Sequence, residues 1–214
     1  MKTIYEYIKE IIAPGLVFVE IGSNAGDTAK KINEMILKVT KDYRYITFEP
    51  DSRFVKANEK QADRYPNLTF HKAAVSNKNG ETTLFVSSGE YHGPNKAHQT
   101  FDSSSSIKTP LPFIFKCWPD MKFNQTEIVE TVRLDDCGIG PIDFIWCDIQ
   151  GAELDFIEGA AITLKYTRFL YTEYNGNKIY EGCPNLQQIL DVLPDWQIVQ
   201  DYQGDVLLRN MRYE

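Results

Sequence analysis

Ile4, Ile8, Ile11 and Ile12 recur at helical spacing, so residues 2–12 are predicted as a helix that lays one face on a sheet. Pro14-Gly15 ends it. Leu16 to Ile21 is a short, nearly unbroken apolar run, the pattern of a strand buried on both faces. Helical spacing returns over 27–38 through Ala29, Ile32, Ile36 and Leu37. A second strand covers 44–49 and stops at Pro50, a helix follows over about 51–63, and a third strand runs from Leu68 to Ala74. Strand alternating with helix in this way predicts a parallel sheet with right-handed crossovers.

The alternation then breaks. Asn77-Lys78-Asn79-Gly80 is a turn, and Thr82 to Val86 reads as another strand where a helix is due. Residues 87–124 are rich in Ser, Gly, Pro, His and Asn and carry scattered aromatics (Tyr91, Phe101, Phe113, Phe115, Trp118), so they are expected to form a lid or recognition insert with little regular structure. Strands are predicted again over 127–134, Ile142 to Ile149 and Phe169 to Tyr174, with a helix over 152–164. Asn185 is placed to cap a helix carrying Leu186, Ile189, Leu190 and Leu193. The chain closes with a hairpin, Gln197–Gln200 against Val206–Leu208 around Gln203-Gly204. An α/β fold follows, read as one domain over 1–214 with the insert at about 87–124.

Composition narrows the partners. A net charge of −7 argues against non-specific nucleic-acid binding, which needs Lys and Arg to displace counterions, and no nucleic-acid partner is expected. Cys117, Cys137, Cys147 and Cys183 show neither C-x-x-C spacing nor a paired His, so a zinc site is not expected and the thiols read as reduced, in a cytoplasmic setting. Glu6, Lys9 and Glu10 in the first turns do not fit a signal peptide, and no apolar run reaches membrane-spanning length.

The chemistry gathers at strand ends. After the first strand comes Glu20-Ile21-Gly22-Ser23-Asn24-Ala25-Gly26-Asp27. Gly22 and Gly26 let the backbone bend and let a ligand approach. The loop is not the G-x-G-x-x-G of dinucleotide sites, because Asn24 stands at the second glycine and two carboxylates flank the turn. Such a loop repels phosphate and suits a ligand with a cationic part and hydroxyls. S-adenosylmethionine, with its sulfonium, ammonium and ribose diol, has that chemistry.

Glu20, Glu49, Asp148 and Glu173 each end an apolar run read as a parallel strand. Ligands of open α/β sheets bind outside those ends. Glu20 is expected to meet the ammonium, directly or through water, Glu49 the ribose hydroxyls, Asp148 the methionine moiety and methyl, and Glu173 the acceptor. Candidate bases are Asp148, Glu173, His92 and His98; His71, on the third strand, reads as structural. A divalent cation on Asp148, Glu173 and nearby Asn175 is the less favoured alternative.

The same residues carry a resemblance. Val19 to Gly26 and Phe48-Glu49-Pro50-Asp51 are similar to the two cofactor motifs of FkbM-type S-adenosylmethionine-dependent methyltransferases. Val132-Arg133-Leu134-Asp135-Asp136, the run Ile142 to Leu154 with its D-x-x-G-A-E core, Glu158-Gly159-Ala160 and Ser104-Ser105-Ser106 also resemble stretches of that family. The resemblance implies a Rossmann-like class I methyltransferase fold, with a mostly parallel seven-stranded-type sheet and an antiparallel C-terminal hairpin. It implies S-adenosylmethionine as donor and a hydroxyl acceptor on a sugar, glycan or small metabolite. It places Glu20, Gly22, Ser23, Asn24, Gly26, Glu49, Pro50 and Asp148 beside the cofactor, with Ala74 bordering the adenine. The rival readings are another Rossmann-like nucleotide or dinucleotide enzyme, which would need a phosphate cradle, and a binding module that keeps the pocket without catalysis.

Overall fold

The structure is a computed structural model that describes residues 2–91 and 99–213. Its helices are α1 (Ile4–Ile11), α2 (Asp27–Ile36), α3 (Val55–Arg64), α4 (Pro112–Cys117), α5 (Glu153–Gly159) and α6 (Leu186–Val192). Its strands are β1 (Leu16–Ile21), β2 (Tyr43–Phe48), β3 (Leu68–His71), β4 (Ala74–Val75), β5 (Gly80–Ser88), β6 (Glu90–Tyr91), β7 (Gln99–Thr100), β8 (Lys122–Val132), β9 (Ile142–Cys147), β10 (Thr167–Glu173), β11 (Trp196–Asp201) and β12 (Asp205–Asn210).

The main sheet has seven strands in the order β11-β12-β10-β9-β1-β2-β3. Strands β3, β2, β1, β9 and β10 run parallel, and β12 joins β10 and β11 antiparallel. The mixed sheet is the expected one, with the chain reversing direction only at the closing hairpin.

Strand periodicity sorts the core into two faces. Phe18, Tyr45 and Phe144 stack with ring centroids 4.8 and 5.0 Å apart and pack against Ile4 and Ile8 of α1 and Ala29, Ile32 and Ile36 of α2. Val19, Ile21, Ile46, Ile145 and Cys147 face the other way, onto Phe156 and Ile157 of α5 and Ile189 of α6. Thr3 and Asn185 close capping boxes at the starts of α1 and α6, giving otherwise orphaned N–H groups a partner.

Several expected boundaries change. The third strand leaves the main sheet after His71: the Ala73 N–H turns back onto the His71 carbonyl at 3.0 Å. Ala74–Val75 then pairs with β8 in a second sheet of order β4-β8-β5, which stands where the alternation calls for a crossover helix. The insert holds more regular structure than its composition suggests, because β5 runs on to Ser88, β8 starts at Lys122, and α4 lies between them. The helix expected over 152–164 stops at Gly159, where α5 touches the second sheet: a Cβ there would lie 1.9 Å from the Ser76 carbonyl oxygen. Asp135 explains the Arg-Leu-Asp-Asp stretch in structural terms. Its carboxylate accepts from the N–H groups of Ile162 and Thr163 and from the Thr163 hydroxyl, capping the turn after α5.

Candidate active site

The carboxyl ends of β1, β2 and β9 open onto a cavity that encloses about 650 Å³ of empty space, solvent at its mouth included. That lies within the roughly 300–1,000 Å³ of small-molecule sites. Ile21, Phe48, Ala74, Val75, Leu84 and Ile149 supply apolar wall, while Gly22, Asn24, Glu49, Pro50, Asp51 and Asp148 supply the rim.

The register explains this grouping. Ile21 pairs with both Phe48 and Cys147, so Gly22, Glu49 and Asp148 form one row just past the sheet edge. The Gly22 N–H donates to the Phe48 carbonyl, and the Asp148 N–H to the Ile21 carbonyl. Gly22 has φ +85°, and a Cβ on it would lie 1.9 Å from the Asp148 carbonyl oxygen. Glycine is therefore required twice over, by conformation and by space.

Glu49 is buried, and its two oxygens accept from the backbone N–H groups of Asn24 (2.7 Å) and Asp51 (2.8 Å). Burial pushes its carboxyl up to about 7, against the pull of those two hydrogen bonds. Asn24 adopts a left-handed backbone (φ +46°), which turns its N–H toward Glu49. Short-range strain of this kind collects where a loop must present its backbone.

Asp148 lies on the rim of the cleft, where its side chain stays open to solvent. The Gln150 side-chain amide donates to Asp148 Oδ1 at 2.7 Å and to Glu173 Oε2 at 2.8 Å, so one amide nitrogen bridges two of the four candidate bases. Gln150 does this from a second left-handed position, φ +54°. Desolvation, followed by repulsion from Asp148, Glu153 and Asp205, pushes the Glu173 carboxyl up to about 9. Desolvation also raises Asp148, which the Gln150 hydrogen bond partly offsets. At neutral pH Glu173 therefore keeps its proton, and Asp148 is the member placed at the cavity.

Not every expected residue reaches the cavity wall. Glu20 sits two rows below Gly22 and, by the two-residue period, on the face of β1 opposite Ile21, where the Tyr45 hydroxyl donates to it at 2.7 Å. Ser23 and Gly26 turn toward α3: the Ser23 hydroxyl donates to Asn58 Oδ1, and Gly26 packs against Gln61 and Asn58. His71 stacks on Phe48 behind the apolar wall, in keeping with a structural part. Asn175 Oδ1 accepts from the Asn177 N–H within its own turn. His92 and His98 lie outside the described residues.

Burial pushes the Glu20 carboxyl up to about 8, so the folded protein holds a proton there that the unfolded chain releases near 4.5. Stability from this group is complete below the unfolded value and is lost as pH rises through about 8. Glu49, Glu153 and Glu173 add slopes of the same sign. Glu20→Gln removes one of them. Urea titrations at pH 5 and 8 are expected to show wild type losing more stability than the variant, by up to about 1.4 kcal/mol per pH unit within that window. Equal pH dependence in both proteins would show Glu20 to be ionised in the fold.

The serine-rich part of the insert forms the cavity's far wall, which composition alone did not reveal. The Ser104 carbonyl accepts from the Tyr180 hydroxyl (2.5 Å), the Ser105 hydroxyl donates to Asp51 Oδ2 (2.9 Å), and the Ser106 hydroxyl donates to the Gln150 carbonyl (2.7 Å). Three consecutive serines thus anchor the insert to three separate parts of the site. Tyr180 also packs on Gly151, whose absent Cβ would meet it at 2.8 Å. Serine repeats were the visible signal; their partners, tens of residues away, were not.

The comparisons agree with this geometry. The Methyltransferase FkbM domain model matches residues 20–203. The chain is 34% identical over 220 residues to the 2-O-methyltransferase NoeI of Sinorhizobium fredii (strain NBRC 101917 / NGR234), covering 99% of this chain and 86% of that protein. Among solved structures it is similar to the methyltransferase FkbM of Methylobacillus flagellatus KT, with a TM-score of 0.57 at 16% identity, covering 95% of this chain and half the length of that one. A chain from Clostridium thermocellum provisionally described as an rRNA methylase shares the fold at a TM-score of 0.54 and 10% identity. The matched stretch spans the Gly22–Gly26 loop, the insert and all four candidate bases, and this chain is a methyltransferase of the FkbM family.

Proposed function

We propose that this methyltransferase moves a methyl group from S-adenosylmethionine to a hydroxyl of a sugar or glycan. The observation that carries the reading is the cavity itself: an apolar slot at the carboxyl ends of the central strands, rimmed by Glu49 and Asp148. Its donor set fits a cationic, hydroxyl-bearing ligand and repels a phosphate. The 34% identity to a 2-O-methyltransferase supports oxygen as the acceptor atom, and the net charge of −7 supports a small or glycan acceptor over nucleic acid.

In this reading Glu49 takes the ribose hydroxyls, Ala74, Val75 and Ile149 border the adenine, and Gly22, Asn24 and Pro50 shape the loop against the rest of the donor. Ser23 and Gly26 brace that loop from α3, and Glu20 braces it from beneath. The donor, when bound, supplies a methyl already activated by its sulfonium. What remains for the protein is alignment, exclusion of water and one proton. Asp148 accepts that proton from the acceptor hydroxyl. Glu173, protonated at neutral pH, holds Asp148 in place through Gln150. His98 stays a further candidate base. Residues 87–124 choose the acceptor, and among the described residues no helix is long and apolar enough to cross a membrane.

Calorimetric titration with S-adenosylhomocysteine and, separately, NAD tests the donor assignment. Micromolar binding of the first and none of the second is expected. Glu49→Gln should weaken it about 10- to 100-fold, since an amide oxygen can serve only one of the two backbone donors. Binding of NAD with no response to S-adenosylhomocysteine would refute the donor. Scintillation counting of labelled methyl carried to a panel of free sugars and chitooligosaccharides then tests the acceptor class.

A further inference from the structure

Arg53 stands outside the cavity wall yet touches three of the segments that build it. Its Nε donates to Asp51 Oδ1 at 2.9 Å and its Nη2 to Asp51 Oδ2 at 2.6 Å, a two-pronged pair. Nη1 donates to the Ser87 carbonyl at the end of β5 (2.8 Å). Nη2 also reaches the Ser105 hydroxyl (2.9 Å) and the Asp102 carbonyl (3.3 Å) in the insert. Asp51, Asp102 and Ser105 all line the cavity; Ser87 and Arg53 do not.

The network closes on itself. The Ser105 hydroxyl donates to Asp51 and accepts from the Ser87 N–H at 3.1 Å, and the Ser87 hydroxyl accepts from the Ser104 N–H at 3.1 Å. Asp51 in turn donates its N–H to Glu49. The chain of contacts therefore runs from the insert, through Arg53 and Asp51, to the carboxylate assigned to the donor's ribose. Asp51 is 1% exposed. Burial works to raise its carboxyl, but the hydrogen bonds from Arg53 and Ser105 win and hold it below the ordinary range. The planar guanidinium reaches all these acceptors at once, with Nη2 sharing its two hydrogens among three of them; a lysine ammonium, with three hydrogens on one atom, cannot.

We propose that Arg53 is a positioning residue for the methyl donor: it clasps the 102–105 wall and Asp51 to each other and thereby sets donor affinity. The inference rests on the donor assignment above. Without Arg53, Asp51 is a buried carboxylate lacking its cation. Its side chain keeps only the main-chain N–H at position 53 and the Ser105 hydroxyl, water competes for it, and the contacts to Ser105 and to the Asp51 N–H that serves Glu49 loosen. Binding of the donor then has to restore the arrangement, so affinity falls while the aligned complex reacts as before.

Calorimetry with S-adenosylhomocysteine on the full chain tests this, beside initial rates with S-adenosylmethionine as the varied substrate. Arg53→Ala is expected to raise both the Kd for S-adenosylhomocysteine and the KM for the donor at least tenfold, with kcat at saturating donor within threefold of wild type. Arg53→Lys should recover only part of the affinity. Ser105→Ala removes one link and should cost about three- to tenfold, adding nothing in the Arg53→Ala background. An arginine of purely structural importance would instead lower the unfolding midpoint and leave the Kd of the folded protein unchanged, and that result overturns the proposal. If Arg53→Ala does not fold, Ser105→Ala decides alone, wild-type affinity counting against the clasp. Wild type failing to bind S-adenosylhomocysteine at all would overturn the donor assignment and this inference with it; wild type binding while both variants match it overturns the clasp alone.

Discussion

Asp148→Asn is expected to lower kcat by about 10²–10⁴-fold, the usual contribution of a general base, while S-adenosylhomocysteine still binds within a few-fold of wild type. Asparagine keeps an oxygen for the Gln150 amide, which donates to Asp148 Oδ1, so the loop geometry survives and only basicity is lost. Glu173→Gln is expected to behave differently. Glu173 is held protonated by burial and by the carboxylates around it, up to about 9, so an uncharged amide imitates its working state at neutral pH. That variant should keep activity within about tenfold, since a displaced partner costs alignment more than chemistry, and should lose any inflection of the pH–rate profile near 9. Glu153, Asp205, Tyr171, Tyr180, Cys147 and Cys183 face this pair; none of them is altered by either substitution. Full turnover in the Asp148→Ala, Glu173→Ala double variant would show that the proton leaves by another route, with His98 the next candidate.

Gly22→Ala should be among the most damaging methyl additions at the described glycines. Two terms act together. The residue holds φ +85°, where a side chain costs about 1–3 kcal/mol. The added Cβ would also lie 1.9 Å from the Asp148 carbonyl oxygen, a backbone atom in the row that makes the site. Forcing β1 and β9 apart there costs about another 1–3 kcal/mol, as overpacking does elsewhere, and displaces both Asp148 and the Asn24 N–H that Glu49 holds. Gly15→Ala is the control. Gly15 has nearly the same φ, +83°, but nothing within 4 Å of the added carbon. Urea denaturation should therefore show Gly22→Ala losing more stability than Gly15→Ala by the contact term, and only Gly22→Ala should lose S-adenosylhomocysteine binding. Equal midpoints, with binding intact in both, would mean that the two strand ends are not so close.

Much of the site was legible along the chain because its signals are local. A strand buried on both faces, a glycine-bounded turn and a terminal carboxylate fall within a dozen residues, and Glu49 and Asp148 are found at the cavity where that pattern puts them. Glu20 shows the limit. It carries the same local signal, yet the two-residue period of β1 directs it away from the cavity, to the Tyr45 hydroxyl. Gln150 shows another. Its neighbours in sequence suggest a loop residue, and only its left-handed backbone brings its amide between two carboxylates.

What the amino-acid order determined by itself was the α/β class, the parallel run of β1, β2, β9 and β10, the closing hairpin and the acids at the strand ends. Periodicities of 2 and 3.6, and the conformational demands of glycine and proline, act over a few residues and need no distant partner. What only the tertiary structure decided was the second sheet and the far wall of the cavity. Ser105 meets Asp51 across 54 positions, and Tyr180 meets Ser104 across 76. Such pairs form because folding leaves each buried donor and acceptor needing a partner, and which partner it finds depends on where the sheet has carried the chain.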